Sequence, residues 1–154
     1  MIILNEILVD VNTVDINVLL GAFFEDSRTN VLATEAIDNL RRSSQPLVVF
    51  PVVAAGFIRI ATSRRMSVNP APTELALSFL GSLLSSPMNS VMDSGANFWR
   101  EFSTLISYHS ARDGDVTDCQ IAASAISLGA TLYSFDRGFA RFHSLSWVDP
   151  AAVR

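Results

Sequence analysis

The composition of the chain excludes several classes of protein. It has 154 residues, of which 49% are hydrophobic and 17% are charged, and this indicates a folded domain with a substantial core. The formal net charge is −4, which disfavours a module that binds duplex nucleic acid by simple electrostatics. All 11 basic residues are arginine, so mechanisms that need a lysine, such as a P-loop or a Schiff base, are excluded.

The same sequence predicts a cytoplasmic protein. Residues 1–8 lack the basic start of a signal peptide, and no apolar run reaches the length needed to cross a bilayer. The single cysteine, Cys119, forms no internal disulfide, as expected in a reducing compartment. The high apolar content predicts a buried protein–protein surface, such as that of a homodimer.

The first half of the chain predicts strands that alternate with helices. Residues 7–14 alternate and are rich in β-branched side chains, which favours one strand that ends at Asp15. Residues 18–24 suit a short buried helix, and residues 32–42 follow an amphipathic helical pattern. Residues 47–50 are wholly apolar, as in a buried parallel strand.

The second half of the chain continues this alternation. Its predicted helices cover residues 51–62, 74–84, 97–109 and 118–128. Its predicted strands cover residues 90–92, 131–134 and 145–148. Because parallel strands are joined by right-handed crossovers, the pattern predicts a single α/β domain, residues 1–154, with helices on both faces of its sheet.

Three aspartates are predicted to meet at one edge of this sheet. Asp15 ends the first strand, Asp118 begins a late helix, and Asp136 follows the strand at residues 131–134. Ligands bind beyond the carboxyl ends of parallel strands. One such aspartate is usually a cap or turn residue, but three neighbouring carboxylates repel one another, and a hard divalent cation removes that cost. An acidic pocket with a metal ion suits hydrolysis of a phosphodiester.

The segment around Asp118 also has a structural interpretation. Thr117 is predicted to be the N-cap, with Gln120 three residues later in the pattern of a capping box. Asp118 then lies in the first helical turn, where the helix dipole stabilises a carboxylate, and Gly129 ends the helix. Asp118 is therefore a helix-start acid, a metal ligand, or both.

Five segments in order resemble a known family. They are VDINVLL at residues 14–20, AGFIRIAT at 55–62, VTD with IAA at 116–123, LYSFDRGFARF at 132–142 and LSWVDP at 145–150. No one motif is decisive, but the ordered set covers nearly the whole chain. It resembles the PIN-domain ribonucleases, and most closely the VapC-type toxins of bacterial toxin–antitoxin pairs.

The resemblance implies both a fold and an activity. The fold would be a three-layer α/β/α sandwich with a parallel sheet of about five strands. The activity would be that of a Mg²⁺- or Mn²⁺-dependent endoribonuclease toxin, which cuts RNA and is held inactive by a small VapB-type antitoxin. Asp15, Asp118 and Asp136 match the family's metal-site acids. Asp10 remains an alternative to Asp15, which is preferred because the residues after it fall at the family's spacing.

The chain also departs from the family pattern. Many PIN nucleases have a glutamate near the position of Gly56, and the helix predicted there holds no carboxylate, so fewer metal ligands are expected. Gly138 stands where a further acid is common. Arg59, in the same apolar helix as Gly56, is expected to be buried and paired with a carboxylate, with contact to an RNA phosphate as its other possible role.

Four polar residues are weaker candidates for the site. Asp115 could approach the metal, although a solvated loop acid is the more ordinary interpretation. Asn17, Thr117 and Ser134 could orient a substrate or a water, although cap and turn roles would also explain them.

Two other functions remain open. A PIN fold that has lost its chemistry along with the glutamate would act by binding a protein or RNA, and would show no metal-dependent cleavage. A phosphatase or a receiver domain also places acids at strand ends, but the absence of lysine argues against both.

Overall fold

The computed structural model describes residues 2–4 and 7–152, with side chains from residue 10 onward. Within residues 1–8, where no signal peptide is expected, residues 1, 5 and 6 lie outside the described part. The strands are β1 (Ile2–Leu4), β2 (Ile7–Val9), β3 (Val11–Val14), β4 (Leu47–Val49), β5 (Ser90–Val91), β6 (Ala130–Tyr133) and β7 (Ser146–Val148). The helices are α1 (Ile16–Phe23), α2 (Asn30–Arg42), α3 (Pro51–Ala61), α4 (Thr73–Leu83), α5 (Phe98–His109) and α6 (Gly114–Leu128). None of the helices in the described part is long and apolar enough to span a membrane.

The central sheet has five parallel strands in the order β5-β4-β3-β6-β7. The chain runs outward from β3 to β4 and β5, and then returns to β6 on the other side of β3. Because such crossovers are right-handed, the reversal of direction places α1 to α4 on one face and α5 with α6 on the other. The predicted α/β/α arrangement with about five parallel strands is confirmed.

The sequence explains where most of these elements begin and end. Strand β4 is buried at every position, which its wholly apolar sequence requires. Helix α3 begins at Pro51, whose fixed φ and missing N–H suit a first helical position. Helix α6 ends as predicted at Gly129, which adopts a left-handed φ of 63°.

The first predicted strand is wrong in one respect. Residues 7–14 form two strands rather than one, and the break lies at the exposed Asp10. The reason is a change of partner, because β2 pairs antiparallel with β1 whereas β3 pairs parallel with β4 and β6. The alternating pattern indicates β structure but does not say which strand it will join.

An aromatic cluster joins three helices on one face of the sheet. Phe57 of α3 is fully buried, and its ring centroid lies 5.4 Å from that of Phe23 in α1 and 5.4 Å from that of Phe79 in α4. Helices α1 and α2 also approach closely, because a Cβ at Gly21 would lie only 2.9 Å from the Cβ of Ala33. These contacts fix α1, whose first residue follows directly on Asp15.

Candidate active site

Asp15 lies at the carboxyl end of the central strand β3 and caps the N-terminus of α1. One carboxylate oxygen accepts a hydrogen bond from the Ile16 backbone N–H at 2.7 Å. The other accepts a hydrogen bond from the Ser134 hydroxyl, also at 2.7 Å. The residue is only 7% exposed, so these two donors replace the water that a free carboxylate would bind.

Ser134, buried directly after β6, connects the residues around Asp15. Its Oγ accepts hydrogen bonds from the Asn17 side-chain amide at 3.1 Å and from the Asp136 backbone N–H at 3.0 Å. The Asn17 Oδ1 in turn accepts from the Phe135 backbone N–H at 3.2 Å. The indole of Trp147 donates to the Ser134 carbonyl at 3.0 Å. These contacts hold the start of α1 against the turn that follows β6.

Asp136 begins the short 3-10 helix that spans Arg137–Arg141. Its Oδ1 accepts a hydrogen bond from the Gly138 backbone N–H at 2.7 Å, and its side chain is exposed. The turn from Ser134 to Asp136 therefore presents the carboxylate of Asp136 to solvent beside the buried carboxylate of Asp15.

Asp118 faces the same edge from α6 and is paired with an arginine. The Arg141 Nη2 lies 3.3 Å from Asp118 Oδ2 and 3.1 Å from Asp115 Oδ1. Arg141 lies at the end of the 3-10 helix that Asp136 begins. The sequence gives no local signal for this pairing, because Asp118 and Asp115 lie 23 and 26 residues away in the chain.

The predicted capping box at Thr117 and Gln120 is wrong. Helix α6 begins earlier, at Gly114, because hydrogen bonds from the Asp115 and Val116 amides to the carbonyls of residues 112 and 113 form its first turn. Thr117 and Gln120 both lie inside the helix, and Thr117 is exposed. The acid in the first turn is Asp115, so a helix-start role does not explain Asp118.

The prediction for Arg59 is also wrong. Its side chain is exposed on α3, and its Nη1 lies 3.7 Å from the sulfur of Met66 rather than beside a carboxylate. The helix turns this position towards solvent, away from the core. The role of an arginine paired with the acidic cluster falls instead to Arg141.

The acidic side chains influence one another electrostatically. Burial raises the pKa of Asp15, and the charge of Asp136 raises it further, while the hydrogen bonds from Ser134 and Ile16 lower it. Burial also raises the pKa of Asp118, followed by the charge of Asp136, and the Arg141 guanidinium lowers it. Both carboxyls therefore bear an energetic cost when ionised in the metal-free chain.

The identity of the chain follows from comparison with known proteins. A family model described as the PIN domain matches residues 13–145. VapC ribonuclease Mb2897 of Mycobacterium bovis is 36% identical over 137 residues, which cover 89% of this chain and 93% of that protein. The chain belongs to the PIN-domain family of VapC ribonucleases. Ribonuclease VapC31 of Mycobacterium tuberculosis is 29% identical over 88% of this PIN domain and 96% of its own length.

A solved structure shares the fold at low identity. VapBC-1 from nontypeable Haemophilus influenzae superposes on this PIN domain with a TM-score of 0.66. The identity is 18%, and the match covers 92% of this chain and 98% of that chain. This likeness concerns the fold alone.

Gly56, near which a glutamate was expected in many PIN nucleases, packs against the start of α1. Gly56 is buried in α3, and a Cβ placed there would collide with the side chain of Ile16, the residue after Asp15. A carboxylate at this position would therefore need Ile16 to move. The glycine lets α3 approach the start of α1 closely.

The donor chemistry of the site fits a hard divalent cation, although the side chains do not form a closed metal cage. Across residues 10–152, no group of three or more His, Cys, Asp or Glu side chains is gathered closely enough to hold an ion. Burial, and then neighbouring negative charge, raises the pKa of Asp15 and of Asp118, and a bound cation would favour the ionised form of both carboxyls. A cavity of about 310 Å³ beneath α2 lies elsewhere, and none of the three acids lines it.

Replacing Asp136 with asparagine should lower the pKa values of both Asp15 and Asp118, because it removes a negative charge that raises them. Carboxyl carbon NMR titration of the metal-free protein measures both values, and Asp93→Asn at an exposed loop position is the matched control. Each raised pKa contributes stability that is present below the ordinary value of 3.8 and is lost as the pH rises through the folded-state value. Unchanged titration of both carboxyls in the Asp136 variant would contradict the coupling.

Proposed function

We propose that this chain is the toxin of a VapB–VapC pair and acts as a Mg²⁺- or Mn²⁺-dependent endoribonuclease. The observation that supports this most is the proximity of the Asp15, Asp118 and Asp136 side chains, since burial raises the pKa of Asp15 and of Asp118 and the charge of Asp136 adds to both. Such mutual repulsion is typical of a site that receives a cation. Membership of the VapC ribonucleases supports RNA as the substrate.

Asp15, Asp118 and Asp136 would hold the ion. Asp115 would be a further acid, because it contacts the same arginine, Arg141, that Asp118 contacts. A bound Mg²⁺ or Mn²⁺ would supply positive charge at the phosphate and would lower the pKa of a water. The protein itself would orient the ligands of the ion. The Ser134 hydroxyl fixes the orientation of the Asp15 carboxylate, and Asn17 holds Ser134 in place.

Three other predicted roles differ in their support. Thr117 lies one residue before Asp118 on an exposed part of α6, where its hydroxyl could meet the substrate. Arg59 is exposed, so contact with an RNA phosphate is the one of its two expected roles that remains. Asp10 is exposed in the link between β2 and β3, whereas Asp15 contacts Ser134 directly, and this favours Asp15 as the ligand.

The proposed partners are a VapB-type antitoxin and a second copy of the chain, and the proposed location is the cytoplasm. Support for the homodimer comes from α5, where the side chains of Trp99 and Tyr108 are 71% and 76% exposed. Aromatic rings left in solvent to this extent are common at protein–protein interfaces. Residues 1–154 would form one PIN-like domain in each protomer.

The test of this function is RNA cleavage by the purified protein. We expect internal cuts in RNA when Mg²⁺ or Mn²⁺ is present, loss of cutting with EDTA, and recovery when excess metal is restored. Expression should arrest growth, and a co-expressed VapB-type partner should rescue it.

A second candidate function is a PIN-fold binding module with little or no catalysis. Two observations favour it, namely the lack of any carboxylate side chain on α3 and the absence of a preformed acidic cage within residues 10–152. Failure of cleavage at every metal concentration, with no growth defect on expression, would support this module over the nuclease.

A further inference from the structure

Arg141 supplies a positive charge beside the acidic residues Asp115 and Asp118. One terminal nitrogen, Nη2, contacts carboxylates of both Asp115 and Asp118, at 3.1 and 3.3 Å. The guanidinium carbon lies 4.8 Å from the ring centroid of Phe142, so an aromatic face supports it on one side. The Arg141 side chain is 33% exposed, which leaves this pair partly shielded from solvent.

The guanidinium uses only some of its hydrogen-bond donors. Its Nε is buried and has no hydrogen-bond partner among the residues that the structure describes. A buried donor without a partner carries an energetic cost. The guanidinium contacts each carboxylate through Nη2 alone and does not form the two parallel hydrogen bonds of a bidentate arginine–carboxylate pair. Such a contact exchanges more readily than a bidentate ion pair of full geometry.

We propose that Arg141 competes with the divalent cation for Asp118 and thereby sets the metal affinity of the site. This inference rests on the proposed function, which places the metal at Asp118. Arg141 is a positioning residue rather than a ligand. In the metal-free chain it offsets one of the two negative charges of Asp118 and Asp115, and cation binding requires its guanidinium to leave Asp118.

The direction of the effect follows from charge. A guanidinium that contacts Asp118 repels an incoming divalent cation. It also occupies an oxygen atom of Asp118 that the cation would otherwise bind. Neutralising Arg141 therefore removes a repulsion and a competitor together. For charges a few ångströms apart near a protein surface, we expect metal affinity to rise about tenfold or more.

The first test is Mn²⁺ titration of the purified metal-free protein by calorimetry, with wild type, Arg141→Gln and Arg137→Gln. The matched control lies on the same 3-10 helix, loses the same charge, and has an 85% exposed side chain 3.6 Å from Asp149. We expect Arg141→Gln to bind Mn²⁺ about tenfold more tightly and Arg137→Gln to stay close to wild type. Equal or weaker binding by Arg141→Gln would overturn the proposal.

A second test needs no variant and so does not depend on how Arg141→Gln folds. Mg²⁺ is titrated into the wild-type protein while NMR follows the Asp118 carboxyl carbon and the Arg141 Nε–H signal. We expect both signals to shift with the same dissociation constant. A shift at Asp118 alone would overturn the role of Arg141 and leave the proposed function intact, whereas no shift at either residue would overturn both.

Discussion

Replacing Asp118 with asparagine should reduce metal-dependent RNA cleavage by at least about a hundredfold, the scale of losing one group that stabilises a transition state. The substitution keeps the shape of the side chain and removes its charge, so the proposed metal loses one of its central acids. The variant also loses the ion pair between Asp118 and Arg141. Initial rates of RNA cleavage at saturating Mn²⁺ measure the effect.

The control for this experiment is Asp93→Asn, the same chemical change at an exposed position between β5 and α5. Asp93→Asn should cleave at the wild-type rate. Circular dichroism establishes that both variants are folded. Full cleavage by Asp118→Asn would refute the assignment of Asp118 to the metal site.

Replacing Phe57 with alanine should lower the free energy of unfolding by about 3–5 kcal/mol, the usual cost of truncating a buried phenylalanine. Phe57 is 0% exposed, and its ring packs edge-on against that of Phe23 with an interplanar angle of 88°. The truncation would leave a cavity between α1, α3 and α4. Because domains of this size are stable by only about 5–15 kcal/mol, the loss would be a large share of the total.

Urea unfolding at fixed protein concentration measures this change, since self-association would otherwise alter the apparent stability. Val68→Ala is the control, because this residue is 98% exposed and its truncation should cost little. A loss below about 1 kcal/mol at Phe57 would contradict the view that this aromatic cluster holds α1 in place.

The order of strands and helices could be predicted because it depends on local patterns. The buried run of β4, the proline at the start of α3 and the glycine after α6 are each visible in the sequence. The division between β2 and β3 at Asp10 was not visible, because strand pairing depends on residues distant in the chain. Alternation of apolar residues predicts which side chains of a strand point to the core, but it does not predict which other strand it pairs with.

The candidate site was predictable in its acids and not in its arginine. The strand ends that precede Asp15 and Asp136 are visible in short windows, whereas Asp118 was singled out at a helix opening that lies one turn earlier in the structure. Arg59 was expected to pair with a carboxylate because its helix is apolar, yet one position on that helix faces solvent. Arg141 was missed because its partners, on a different helix, lie 23 and 26 residues away.

The capping box failed for a local reason. Thr117 and Gln120 have the right identities and spacing, but the turn of residues 112–116 already satisfies the first helical amides. Competing start signals one turn apart cannot be ranked from residue types alone. Because the helix starts one turn earlier than predicted, the acid in its first turn is Asp115, and a helix-start role does not account for Asp118.

The hydrogen bond between Asp15 and Ser134 joins residues 119 positions apart, and this has a consequence for the timing of synthesis. The ribosome makes Asp15 more than a hundred residues before Ser134, which orients its carboxylate. A partly made chain therefore has Asp15 but neither Ser134 nor Asp136, even if its first elements have begun to fold. The Asp15 carboxylate can therefore be fixed by Ser134 only after residue 134 has been translated and has left the ribosome.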